Sequence, residues 1–155
     1  MRDILATLGL TRLPRFHRDP LYLTALSGGL VFWAILVLLQ DQRGDTSPAI
    51  ATVASLLLWQ PVIEEVLFRG FLQGELLRTE FGRRQVIWLS YANVLASLAF
   101  VALHFLRHPP AWAIAVFIPS LVLGFFRERH ASLYPPILLH VYYNTGYFLT
   151  AGFPS

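Results

Sequence analysis

Residues 21–40 contain no charged side chain. Coiled as an α-helix at 1.5 Å per residue they span about 30 Å, the thickness of a bilayer's hydrocarbon core. Further apolar blocks follow at 49–77, 85–106, 111–126 and 133–151, separated by short polar or proline-bearing breaks. In lipid the backbone must satisfy its own hydrogen bonds, and a helix does so segment by segment. The pattern therefore predicts an all-α, polytopic transmembrane helical bundle of about five spans. Composition agrees: the chain is 55% hydrophobic and 14% charged, whereas a soluble domain carries about a quarter charged residues.

The 155 residues suit one membrane domain, 21–155, behind a basic segment, 1–20. In that segment Ile4, Leu5 and Leu8 can line one face of a short helix lying on the membrane; a mobile basic tail is the alternative reading. The run at 21–40 is long for the apolar core of a cleaved signal peptide. Ser27-Gly28-Gly29 within it offers a neighbouring helix a close approach. The absence of cysteine excludes disulfides and thiolate chemistry.

All 12 basic residues are arginine. They sit mostly at the ends of apolar blocks, which is the distribution of membrane flanks and not of a nucleic-acid surface. The expected partner is thus the bilayer, with no nucleic acid. Nine arginines lie in the N-terminal tail and the breaks at 78–84 and 127–132, against Arg43 and Arg107 in the alternate breaks. The bias predicts a cytoplasmic N-terminus and an external C-terminus.

Against that background Glu64, Glu65 and Arg69 stand out, because charge inside an apolar span is costly and tends to face a cavity. Residues four apart on a helix lie one above the other, so Glu65 pairs with Arg69. Glu64 diverges from Glu65 by about 100°, and the position one turn beyond it holds the apolar Phe68. A carboxyl in a low-dielectric site holds its proton more tightly, which makes Glu64 a candidate general base. Pro61 is placed to kink the helix and free a backbone carbonyl.

Asn93, Ser97, Phe100 and His104 share one face of the third block, a polar stripe expected to point inward. His140 lies in the fifth block with Asn144 one turn on. Imidazole can orient a water, take a proton or bind a metal, and an asparagine amide can donate to an oxyanion. Each feature also has a plain structural reading. Glu65 with Arg69 can simply fix helix packing, His104 can be interfacial, His140 with Asn144 can join helices, and Phe100 reads as packing.

Taken together, Glu-Glu-x-x-x-Arg at 64–69, Phe-x-x-x-His at 100–104 and His-x-x-x-Asn at 140–144 resemble the three motifs of the CPBP family in order and spacing. That family comprises type II CAAX prenyl endopeptidases and bacteriocin-processing intramembrane proteases. Gly70 and the run Ser132-Leu133-Tyr134-Pro135-Pro136-Ile137 add to the likeness, which covers residue 48 to the C-terminus. The resemblance implies an intramembrane endopeptidase in which Glu64 and His104 activate water. His140 and Asn144 would then form the oxyanion site, with Glu65 and Arg69 in support.

The chain has fewer spans than the eukaryotic-type prenyl proteases, so a prenylated substrate is not expected. Short bacterial members resemble processing enzymes of the inner membrane. The expected substrate is accordingly a membrane-anchored peptide or protein, such as the C-terminal sorting tail of an exported protein. No cofactor is expected. The alternative within catalysis is zinc held by Glu64, His104 and His140. The alternative outside it is a non-catalytic proton relay or partner-binding immunity factor.

Overall fold

The computed structural model describes residues 4–39 and 48–153. Arg2 and the polar break at 41–47, with Arg43, lie outside the described residues. In chain order the elements are α1 (Ile4–Leu8), α2 (Pro20–Leu39), α3 (Ile50–Leu76), α4 (Glu80–Arg83), the two-residue strands β1 (Gln85–Val86) and β2 (Leu89–Ser90), α5 (Tyr91–His104), α6 (Pro110–Arg129) and α7 (Tyr134–Ala151). α2, α3 and α6 are long and apolar enough to cross a membrane. α5 is apolar but, at 14 residues, only about 21 Å long. The protein is an all-α membrane helical bundle, with large apolar side chains such as Leu38, Ile50, Leu106 and Ile118 exposed on its surface.

Two expected boundaries shift. The third helix does not start at 85. Residues 85–90 form a small antiparallel hairpin, and Ser90 caps α5 by accepting the Asn93 N–H at 2.9 Å. The fourth helix does not end at 126. It runs on through Arg129, broken only at Val116, so Pro119 falls in the first turn of its second half, where a missing N–H costs nothing.

The chain divides into two compact units. The first holds residues up to 14 together with 64–136, the second 15–63 with 137–155. In the first, α1 is bound down and is not a loose tail. Leu133 donates its N–H to Gly9 O at 2.9 Å, Ser132 Oγ donates to Arg12 O at 2.8 Å, and Leu8 lies against Gly70. α5 and α6 meet at Gly124, where an added Cβ would fall 2.0 Å from Asn93 Oδ1. That carboxamide donates to Leu121 O and accepts from Ser97 Oγ. The stripe on α5 does point inward: Asn93, Ser97 and Phe100 are buried and His104 is half-buried.

In the second unit α2 and α7 pack through glycines. Gly29 lies under the rings of Tyr142 and Tyr143, and Gly146 lies under Trp33. Gly28 faces open space, so one glycine of the Ser27-Gly28-Gly29 group makes the close approach. Tyr142 and Tyr143 donate their hydroxyls to Leu26 O and Ala25 O.

Candidate active site

Within α3 the hydrogen bonding widens twice to a π-type, i to i+5 pattern, at Ser55–Trp59 and Val66–Leu72. Such widened turns recur at functional sites because they re-aim side chains. The first follows from Pro61. Gln60 N–H bonds back to Ser55 O, so the next amide in that register belongs to Pro61, which has no hydrogen. The carbonyl of Leu56 is thereby released, and Asn144 Nδ2 donates to it at 3.1 Å. This is the freed carbonyl that Pro61 predicted. It commits one amide hydrogen of Asn144 to holding α7 against α3 within the second unit.

Glu64 and Glu65 occupy the last ordinary turn before the second widening. Glu65 Oε1 lies 3.1 Å from Arg69 Nη1, and both side chains are fully buried. Arg69 also donates through Nη2 to Ser120 Oγ at 2.7 Å and Ser120 O at 3.1 Å. Its guanidinium carbon sits 4.7 Å over the Phe100 ring, a cation–π contact strengthened by exclusion of water. Phe68 meets Phe100 edge-on at 5.2 Å. Arg69 is thus fixed from three sides by a carboxylate, a hydroxyl with its carbonyl, and a ring.

Phe100 carries the arrangement on to His104, whose ring lies 4.4 Å away. His104 Nδ1 is 2.9 Å from Phe100 O. A carbonyl can only accept, so Nδ1 carries the proton, and in the neutral ring Nε2 is the acceptor nitrogen. Glu64 is half-buried and acts electrostatically on Arg69. The first unit therefore gathers Glu65, Arg69, Phe100 and His104 around the Arg69–Phe100 contact, with Glu64 beside Glu65 in the chain. His140, which is buried, and Asn144 belong to the second unit.

The sequence reading missed the continuation of this network. Gln73, fully buried, donates to Gly124 O at 3.0 Å and Glu128 Oε1 at 2.6 Å. Ser90 Oγ donates to the same carboxylate oxygen at 2.5 Å. Arg69 and Gln73 on α3 thus bond to Ser120, Gly124 and Glu128 on α6; with Glu65, each helix carries a set spaced by four residues. That repeated spacing was the available signal. Within either unit, and among the described residues, no three His, Cys, Asp or Glu side chains gather at a point where a metal ion would sit.

Residues 46–146 match the type II CAAX prenyl endopeptidase Rce1-like family. The chain belongs to that family. The matched stretch includes Glu64, Glu65, Arg69, Phe100, His104, His140 and Asn144, the residues of the three CPBP-like motifs. Family membership makes the protein a CAAX-type intramembrane protease, a hydrolase acting on peptide bonds, and an integral membrane protein. No curated protein and no solved structure matches the chain.

Proposed function

We propose that this protease cleaves a membrane-anchored peptide or protein tail with a water activated by Glu64 and His104. The observation that carries the reading is the His104 Nδ1 contact with Phe100 O at 2.9 Å. It fixes the ring and assigns Nε2 the accepting role needed to orient a water. Glu65 is engaged by Arg69 in a fully buried pair, and we assign the proton-accepting role to Glu64, as the likeness to the CPBP motifs implies.

In this mechanism the water oxygen bonds to the scissile carbonyl carbon as its proton passes to Glu64. The likeness to the CPBP motifs gives His140 and Asn144 the role of stabilising the resulting oxyanion. Collapse breaks the carbon–nitrogen bond, and the proton held on Glu64 leaves with the amine. Arg69, Phe100 and Ser120 position the helix bearing Glu64 and touch no substrate. We take the substrate to be the C-terminal sorting tail of an exported protein in a bacterial inner membrane.

The test is hydrolysis by the purified full chain in lipid vesicles, using membrane-anchored tail peptides in ¹⁸O-labelled water. Mass spectrometry should find two fragments, with one heavy oxygen in the new carboxylate. Retention of every tail intact, including prenylated ones, would count against the substrate and the mechanism together.

A further inference from the structure

A shallow pocket bearing two arginines lies inside the first unit, away from the Arg69–Phe100 contact. Its volume is about 320 Å³ and it is lined by Ala6, Thr7, Gly74, Leu77, Arg78 and Arg127. Among the described residues, no acidic side chain lines it. The apolar stretch of α3 ends at Leu76 and that of α6 at Arg129, so Leu77, Arg78 and Arg127 stand at the ends of two membrane-crossing helices. That is the level at which lipid headgroups lie.

Arg127 was expected in a loop but is buried, only 6% exposed. It donates through Nη2 to Thr7 O at 3.0 Å, while its Nε has no hydrogen-bond partner among the described residues. The guanidinium is pinned against Gly9, where a Cβ would fall 2.7 Å from Cζ. Gly9 has φ +77, a left-handed conformation that glycine adopts without strain, so α1 can turn across the arginine. Glu128 is the neighbouring carboxylate, but Gln73 and Ser90 already donate to it. Arg78 pairs with Glu75 at 3.2 Å, both about two-fifths exposed; such surface pairs are weak and exchange readily.

We propose that this pocket binds a phosphate-bearing anion of the kind an acidic lipid headgroup presents. Two arginines line it, Arg127 almost fully desolvated, and an anion offsets that buried charge. Basic pockets between transmembrane helices on one membrane face take acidic headgroups for this reason. At about 320 Å³ the pocket suits a headgroup and not a whole lipid. The exposed side chains of Ile4 and Leu5 on α1 offer an apolar surface for the start of an acyl chain. A soluble phosphate shares the same chemistry.

The experiment uses the purified full chain in a neutral detergent. Thermal unfolding and native mass spectrometry are followed on adding phosphatidylglycerol, phosphatidylcholine or inorganic phosphate. Phosphatidylglycerol should remain bound and raise the unfolding midpoint, phosphatidylcholine should do neither, and Arg78→Gln should weaken retention at least about five-fold. Arg127→Lys, which keeps charge but loses the planar fork, should weaken it too if the variant folds. Equal binding of inorganic phosphate, lost in Arg78→Gln, would support the site with a soluble ligand. Binding of neither, or an undiminished affinity in Arg78→Gln, would overturn the proposal.

Discussion

Replacing Glu65 with Gln separates structural support from chemistry. The wild-type pair is fully buried with 3.1 Å between Oε1 and Nη1. At an effective dielectric constant of about 20 the Coulomb attraction at that distance is about 5 kcal/mol. The glutamine oxygen can still accept from Arg69, and a neutral hydrogen bond returns about 1 kcal/mol. The bonds from Arg69 to Ser120 and its contact with Phe100 are common to both proteins and cancel. The expected loss is therefore about 4 kcal/mol, inside the roughly 3–5 kcal/mol seen when one partner of a buried ion pair is removed. For a chain of this size that lowers the thermal midpoint by on the order of 10 °C. The assay is unfolding in detergent, followed by tryptophan fluorescence, beside cleavage of a tailed substrate. Glu65→Gln combined with Arg69→Met should recover part of the loss, because no charge is then stranded. A Glu65→Gln protein as stable as wild type but inactive would refute the reasoning, and would make Glu65 a catalytic group and not a supporting one.

Three further outcomes follow from the same geometry. Gly124→Ala forces a Cβ to within 2.0 Å of Asn93 Oδ1, so it should cost about 3 kcal/mol by displacing the carboxamide from Leu121 and Ser97, read as a lowered unfolding midpoint. Exhaustive chelation should leave turnover intact, because the proposed water is activated by Glu64 and His104; loss of activity restored by zinc would favour a metal held by Glu64, His104 and His140. Reporter fusions at Ser47 and Pro109 should both report the outer face if the N-terminus is cytoplasmic, and a cytoplasmic signal at either would sink that topology.

The central pairing was legible because helical spacing forces it. Glu65 and Arg69 are four residues apart on one apolar helix and have few other ways to neutralise their charge. The inward stripe on α5 and the carbonyl freed by Pro61 were legible for similar reasons, since each depends on a local rule. What could not be read depends on distant partners. The hairpin at 85–90 carries neither glycine nor proline, and its end is set by Ser90, which Glu128 holds from 38 residues away. Arg127 looked like a flanking arginine because it closes an apolar block. Its burial depends on Thr7 O, 120 residues distant. Gly28 and Gly29 are equivalent in sequence, and only the rotation of α2 decides which lies under the tyrosines. Gln73 continues the spacing of Glu65 and Arg69, but a neutral amide is less costly to bury than a charge, so the sequence alone does not demand a partner for it.

The most direct test of the proposed chemistry is turnover of Glu64→Gln in lipid vesicles, with thermal unfolding measured on the same preparation. Glu64 is half-buried, whereas Glu65 is the fully buried carboxylate 3.1 Å from Arg69. The substitution keeps the size of the side chain and should cost less stability than Glu65→Gln, with the fold retained. Loss of the base should lower turnover by about 10²–10⁴-fold. Cleavage by Glu64→Gln at a near-normal rate, with the fold intact, would contradict the assignment of Glu64 as the water-activating carboxylate.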